Sequence, residues 1–318
     1  MKVFISGASG FLGSAVTAEL SRKGNEVIGL ARDGRGASIV KASGGKPIIG
    51  DLLKGGAWCD AIKNVDKVVS LTQPVSFDES VNLSRLDEYG RKHAESVTNL
   101  IKAASEGKAK AVVVSYHTMC FGDRQGKWVN DFDSVNPVGF CKPMSGSFDS
   151  IARVGEDAGL PLVNIYPALV YGDGNWFKLI VKSFLDGKAR VVEPGNNYLT
   201  LISVEDAAAL YALATEKLHK DENLILADDR PVMQRTLMDF IADMLDKSPA
   251  PSVGFDAYAR QYGHLMAETM ASSIRVQGMR AMDLLGYIPK LRSYETGIPY
   301  ALKSMGIEPR KRVLGVAA

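Results

Sequence analysis

The first thirteen residues constrain the fold of this chain more than any other stretch. A β-branched and aromatic run at residues 3–5 leads into a loop with glycines at positions 7, 10 and 13, and a helix pattern starts at Phe11. The N-terminus of such a helix attracts phosphate, because its backbone N–H groups are free and its dipole is positive there. Glycines at this spacing permit the tight turn, the approach of phosphates to the backbone and close helix packing. The stretch therefore predicts a dinucleotide site.

Composition limits the classes of protein to which the chain can belong. The chain has 318 residues, of which 46% are hydrophobic, and a formal net charge of +2. These values predict a large core and no basic surface for nucleic acid. The three cysteines and four histidines are scattered, so neither a disulfide framework nor a metal site is predicted. No apolar run approaches the ~20 residues that span a bilayer. A strand from about Lys2 leaves no room for a signal peptide, so we expect a cytoplasmic protein without membrane contact.

Short apolar runs alternate with longer helical patterns as far as residue 170. The predicted strands are 3–5, 26–31, 47–49, 67–71, 111–115 and 162–166. Strands that alternate with helices form parallel sheets covered on both faces, so the predicted fold class is α/β, a Rossmann-type doubly wound parallel sheet. Beyond residue 170 the pattern becomes mainly helical, at 176–185, 204–216 and 237–245. We predict a dinucleotide-binding domain over 1–170, to which part of 195–215 is a candidate addition, and a smaller mixed substrate-binding region over 171–318.

Several segments resemble one superfamily. The spacing Gly7-x-x-Gly10-x-x-Gly13 is similar to that of the short-chain dehydrogenases/reductases. The run 166–172, Tyr-Pro-Ala-Leu-Val-Tyr-Gly, resembles a segment of their extended, epimerase/dehydratase-like members, as do 196–197 and 201–208. The resemblance extends to about residue 215 and more loosely beyond. It implies a nicotinamide cofactor, a small-molecule substrate bound by a small C-terminal part, and a homodimer.

The resemblance also implies which residues hold the cofactor. The glycine loop would bind the diphosphate, Gly50-Asp51-Leu52 would contact the adenine, residues 70–74 would pass beneath the ribose, and 167–170 would lie near the nicotinamide. The predicted cofactor-binding residues are Gly7, Ser9, Gly10, Phe11, Leu12, Gly13, Arg32, Asp51, Leu52, Leu71, Thr72, Gln73, Ser115, Pro167, Leu169 and Val170.

The end of the second strand bears on the choice of cofactor. An acidic residue there would hold the ribose 2′-hydroxyl of NAD, but Arg32 occupies that place. A guanidinium can pair with a 2′-phosphate, so the sequence favours NADP(H). Asp33 is adjacent and could still reach a ribose, which leaves NAD(H) as the less favoured alternative.

The proton-transfer motif implied by the resemblance is missing. Members of the family use Tyr-x-x-x-Lys with a Ser or Thr, but no tyrosine in this chain has a lysine four residues later. Counting back from residues 159–161 places the tyrosine position near Met144 and the lysine position near Phe148. Counting back from residues 121–123 places the Ser/Thr position at His117, or at Thr118 after a shift of one.

Other groups are therefore candidates for proton transfer. His117 leads, because it ends the fifth strand and imidazole titrates near neutrality. Tyr116 is a second candidate, although strand alternation turns it to the opposite side of the sheet. Lys142 is a third, and its neighbour Cys141 could also approach the site. Met144, Phe148 and Trp176 are the predicted substrate pocket, which would suit an apolar ligand.

Three functions remain open from the sequence. The first is an atypical NADP(H)-dependent oxidoreductase that acts on a small, fairly apolar carbonyl, imine or conjugated compound. The second is a non-redox enzyme of the same fold, such as a cyclase, isomerase or epimerase/dehydratase, that keeps its cofactor bound. The third is a protein that senses NADP(H) without turnover. The three differ in whether NADPH is consumed and whether any product forms.

Overall fold

Apolar strands that are buried on both faces form the centre of the molecule. The computed structural model describes residues 1–73 and 82–310, so Pro74 and residues 311–318 of the second predicted region lie outside the described residues. The described strands are β1 (Lys2–Ser6), β2 (Glu26–Ala31), β3 (Lys46–Ile49), β4 (Lys67–Ser70), β5 (Val112–Ser115), β6 (Trp128–Val129), β7 (Leu162–Pro167), β8 (Leu169–Tyr171), β9 (Val191–Val192), β10 (Tyr198–Leu199), β11 (Leu201–Ser203), β12 (Glu222–Leu226), β13 (Val232–Met233), β14 (Ser252–Val253) and β15 (Arg275–Val276).

Seven of these strands form one parallel sheet in the order β12-β7-β5-β4-β1-β2-β3. The order reverses next to β1, and ligands of open α/β sheets bind at the carboxyl ends of strands near such a reversal. The predicted α/β class is confirmed, and all six predicted strands are present with ends shifted by at most one residue. The remaining strands pair two by two outside this sheet.

Helices flank the sheet and follow the strands. They are α1 (Phe11–Arg22), α2 (Gly34–Ala42), α3 (Ala57–Ile62), α4 (Leu86–Ser105), α5 (Phe148–Ala158), α6 (Asn175–Leu185), α7 (Val204–Lys217), α8 (Gln234–Met244), α9 (Phe255–Tyr262), α10 (His264–Ala271), α11 (Met279–Leu285) and α12 (Tyr294–Ser304). Helix α1 packs against α7, and α4 packs against α5. No helix in the described ranges is both long and apolar enough to cross a membrane.

The chain returns to the large sheet after residue 170. Helix α7 packs on α1, and β12 pairs in parallel with β7 from Glu222 to Leu226. Strand β12 was not predicted from the sequence, because only its second half is apolar. The predicted boundary at residue 170 therefore leaves one strand of the large sheet, β12, in the second region. The function of each region stays a prediction.

The outer edge of β12 is covered by two side chains. The Asp131 carboxylate accepts a hydrogen bond from the backbone N–H of Ile225 at 2.7 Å. Arg280 donates to the carbonyl of Asn223 at 2.7 Å, and its guanidinium lies 3.8 Å from the same carboxylate. The pair satisfies one backbone N–H and one backbone carbonyl that a further strand would otherwise bind.

Candidate functional site

The loop between β1 and α1 is built from bare backbone. Gly7 has a φ of +74°, and a Cβ there would lie 2.8 Å from the carbonyl of Leu71. A Cβ on Gly13 would lie 2.0 Å from the carbonyl oxygen of Gly7, so the helix can pack this closely only with glycine. Gly10 is the N-cap of α1 and has no side chain to satisfy the first N–H groups of the helix. The loop thus presents free N–H donors without side chains above them, which fits a diphosphate.

Two arginines and one aspartate follow β2. Arg32 and Arg35 are exposed, and neither forms an ion pair or hydrogen bond with any residue in the described ranges. Asp33 is instead the N-cap of α2, and its carboxylate accepts a hydrogen bond from the backbone N–H of Gly36 at 2.7 Å. One oxygen of the carboxylate that could favour NAD therefore caps α2, while the two guanidinium groups beside it have no partner among the described residues.

The turn after β3 is also fixed by its own side chains. The Asp51 carboxylate accepts a hydrogen bond from the backbone N–H of Leu53 at 3.0 Å. Trp58 donates its indole N–H to the carbonyl of Asp51 at 3.1 Å, and its ring lies against Gly50. These contacts hold the Gly50–Asp51–Leu52 turn at the carboxyl edge of the sheet.

These segments open onto one cavity of about 740 Å³. Its wall contains the predicted cofactor residues Gly7, Ser9, Gly10, Phe11, Leu12, Gly13, Arg32, Asp51, Leu52, Leu71, Thr72, Gln73, Ser115, Pro167 and Val170. His117, Tyr116 and Trp176 also line it. The sequence therefore identified most of one continuous surface, although the role of each residue in binding stays a prediction.

Four predicted site residues do not reach this wall. Leu169 is buried in β8, and Met144 is fully buried behind the wall. The ring of Phe148 packs on the ring of Tyr116, with centroids 4.9 Å apart. Lys142 lies outside, where its ammonium pairs with Glu268 at 3.1 Å. Thr118, the alternative to His117, is buried and also absent from the wall.

The residues that line the cavity together with His117 begin at Phe140, four positions before Met144, where the sequence placed the tyrosine position. Phe140 and Cys141, in the 3-10 helix Gly139–Gly146, line the cavity in place of Met144 and Phe148. Phe140 and Met144 are four residues apart, which is the spacing of tyrosine and lysine in Tyr-x-x-x-Lys. This spacing could have located the segment from the sequence. Arg35, Met119 and Asn175 are further wall residues that the sequence reading missed.

Tyr116 and His117 leave β5 in opposite directions. The Tyr116 ring stacks on Tyr166 at a centroid distance of 5.2 Å, and burial raises the pKa of its phenol well above the ordinary value. Its backbone carbonyl accepts a long contact of 3.5 Å from the Gln73 amide, which also lines the cavity. His117 keeps part of its surface open to the cavity, and removal from bulk water lowers the pKa of its imidazole to about 4.

Ser115 is tied down rather than free. Its hydroxyl forms a 2.6 Å hydrogen bond with the phenol of Tyr211, which is fully buried in α7. The bond links the end of β5 to a helix that lies beyond residue 170. The Ser115 side chain at the cavity wall is therefore held by a residue of α7.

Comparison with known proteins agrees with this geometry. Residues 3–226 match the model of the NAD dependent epimerase/dehydratase family. The chain belongs to this family. An uncharacterized protein of Saccharomyces cerevisiae is 28% identical over 83% of this chain and 87% of its own length. A Stigmatella aurantiaca protein, 4-hydroxy-2-methyl-3-oxo-4-farnesyl-3,4-dihydroquinoline-1-oxide ketoreductase, is 23% identical over 90% of this chain and 87% of its own.

Solved structures share the fold of this family member. The human epimerase family protein SDR39U1, determined with NADPH, has a TM-score of 0.79 at 17% identity and covers 95% of this chain and 99% of its own. MoeE5, determined with UDP-glucose and NAD, has a TM-score of 0.78 at 18% identity, with 96% and 99% covered. The family binds nicotinamide cofactors, and its members related to this chain include oxidoreductases.

Proposed function

We propose that this family member is an NADP(H)-dependent oxidoreductase that acts on a small, fairly apolar carbonyl, imine or conjugated compound. The observation that carries the cofactor choice is the pair Arg32 and Arg35, which are unpaired among the described residues while Asp33 caps α2. A 2′-phosphate would receive charge-assisted hydrogen bonds from both guanidinium groups. The glycine loop would hold the diphosphate, and the carboxyl ends of β5 and β7 would flank the nicotinamide.

The other end of the cavity supports an apolar substrate. Apart from the predicted cofactor residues, the wall contains Met119, Phe140, Cys141 and Trp176, together with His117 and Asn175. In the described part of the chain no lysine lines the cavity, and its two arginines, Arg32 and Arg35, are those proposed for the 2′-phosphate, so a charged nucleotide-sugar substrate is disfavoured. The Stigmatella relative is named for a farnesyl-bearing substrate and a Dictyostelium discoideum relative for a sterol-4-alpha-carboxylate, and both compounds carry a large apolar part.

A bound nicotinamide would supply the hydride donor or acceptor. The part left to the protein is to orient the substrate and to stabilise charge on its oxygen or nitrogen, and His117 is the polar side chain placed to do so. We also propose a cytoplasmic location, which the three free cysteines support, and a homodimer, which rests on the resemblance alone.

The deciding experiment is a pair of titrations followed by a turnover assay. Intrinsic fluorescence should show tighter binding of NADPH than of NADH, and absorbance at the NADPH band should then fall with ketones, imines or enones. Equal affinity for both cofactors would remove the arginine pair from its role. Binding without consumption or product would favour the sensing function. Product formation at constant NADPH absorbance would favour the non-redox enzyme, which is the weaker candidate because epimerases and dehydratases of the family usually need the missing tyrosine as well.

A further inference from the structure

The imidazole of His117 is fixed in one tautomer. Its Nδ1 accepts a hydrogen bond from the backbone N–H of Met119 at 3.1 Å, at the start of the 3-10 helix Thr118–Phe121. A nitrogen that accepts this bond carries no hydrogen, so the neutral ring bears its hydrogen on Nε2. Nε2 has no hydrogen-bond partner among residues 1–73 and 82–310. The free N–H of His117 is therefore available to a ligand in the cavity.

The geometry also keeps the ring uncharged. Burial lowers the pKa of His117 to about 4, and no carboxylate in the described part of the chain lies against it to stabilise an imidazolium. Protonation would moreover place a hydrogen on Nδ1, opposite the Met119 N–H, and break the bond that orients the ring. At neutral pH His117 thus offers a hydrogen bond but holds no proton that it can readily give up.

The other titratable groups near His117 are withdrawn from proton exchange. Lys142 pairs with Glu268 outside the cavity wall. The Tyr116 phenol is packed between Tyr166 and Phe148. Cys141 lines the wall, but burial next to Cys120 raises the pKa of its thiol well above the ordinary value. This end of the described cavity therefore has hydrogen-bonding capacity without an acid or base suited to neutral pH.

We propose that His117 is a fixed N–H donor to the oxygen of a conjugated carbonyl substrate, such as an enone or a quinone, and that it exchanges no proton with it. The inference rests on the proposed reductase function and specifies its substrate class. A hydride delivered to a saturated ketone leaves a localised alkoxide, which needs a proton as it forms. A hydride delivered to an enone leaves an enolate, and one delivered to a quinone leaves a hydroquinone anion. The charge of either anion is delocalised, so one hydrogen bond stabilises it until water supplies the proton, while the nicotinamide reductant is oxidised.

Two substitutions separate a donor from an acid. His117→Asn keeps an N–H donor that cannot titrate, whereas His117→Ala removes the donor. If His117 only donates a hydrogen bond, kcat/KM for 2-cyclohexenone should fall about 10²-fold in His117→Ala and be largely retained in His117→Asn. NADPH affinity should be unchanged in both variants, which shows that they fold. Equal losses in the two variants would overturn the donor role.

The matched ketone tests the substrate class. Wild-type protein should reduce 2-cyclohexenone and 1,4-benzoquinone far faster than cyclohexanone. Comparable rates with cyclohexanone would overturn the inference while leaving the reductase function intact. NADPH binding with no consumption of any acceptor would instead defeat the proposed function.

A readout without turnover completes the test. Nitrogen-15 NMR of the protein free of cofactor, with the signal assigned by its loss in His117→Ala, should show hydrogen on Nε2 alone between pH 6 and pH 8. A ring that carries hydrogen on Nδ1, or that titrates in this range, would contradict the proposal.

Discussion

The carboxylate of Asp33 accepts a hydrogen bond from the backbone N–H of Gly36 at 2.7 Å, and this bond makes the aspartate the N-cap of α2. Replacing Asp33 by Ala should cost about 1 kcal/mol of unfolding free energy, because one N–H at the start of α2 loses its partner. Asp33→Ser should restore most of that loss in urea denaturation. Neither variant should weaken NADH binding. A selective loss of NADH affinity would mean that Asp33 binds the ribose of the cofactor.

Arg32 and Arg35 should act together on the 2′-phosphate. Each single change to Ala should raise the Kd for NADPH about tenfold. This corresponds to the lower end of the free energies of hydrogen bonds to charged groups, because both side chains are exposed. The Kd for NADH should change little. Arg153→Ala, which removes an exposed arginine from α5, is the matched control. Titration of all variants with both nucleotides checks the prediction, and parallel losses for NADH and NADPH would refute it.

The contact between Gly13 and Gly7 should not tolerate a methyl group. Gly13→Ala places a Cβ at 2.0 Å from the Gly7 carbonyl oxygen, so the loop must shift and binding of both nucleotides should be lost. Gly34→Ala is the control, since a Cβ there meets no heavy atom within 4 Å and the residue lies in α2. Calorimetric titration measures both. Retained affinity in Gly13→Ala would show that the diphosphate does not rest on this turn.

Stability should fall as the solution is acidified. Burial lowers the pKa of His93 and of His117 to about 4, whereas the unfolded chain binds these protons near 6.5. The unfolded state therefore takes up more protons as the pH falls from about 6.5 towards 4, which costs about 2 kcal/mol per ring at pH 5.

His93 offers the cleaner test of this pH dependence. Its ring is buried in α4, and burial outweighs the opposing contact with the Thr72 backbone in lowering the pKa of the imidazole. Urea denaturation at pH 7.5 and pH 5 should show a smaller loss for His93→Leu than for the wild type. His264→Leu, which removes an exposed ring, should leave the loss as it is. An unaltered loss in His93→Leu would mean that its imidazole is protonated in the folded state.

Lys142 should be dispensable for turnover. Its ammonium pairs with Glu268 on the surface, and such pairs contribute about 0–1 kcal/mol. Lys142→Met should therefore change stability slightly and steady-state kinetics hardly at all. A large fall in kcat would bring this side chain back to the candidate site.

The glycine loop and six strands could be predicted from the sequence, because their signals are local. Turn glycines and short apolar runs fix conformation over a few residues, so β1, the loop and α1 were predictable. Strand β12 was not, because its pairing with β7 joins residues far apart in sequence and its first half is polar. Phe140 was missed because the tyrosine position was counted back from residues 159–161, and that count depends on the exact length of α5. Cys141, which the sequence had named as able to approach the site, does line the cavity.

The arrangement of Asp131 and Arg280 along β12 has a consequence for assembly. Together they occupy one backbone N–H and one backbone carbonyl on the outer side of the last strand. A second copy of the chain could extend the sheet at this edge only by displacing the Asp131 carboxylate and the Arg280 guanidinium, which also pairs with Glu222 at 2.8 Å. Any dimer that this protein forms should therefore use another surface and leave the two sheets separate.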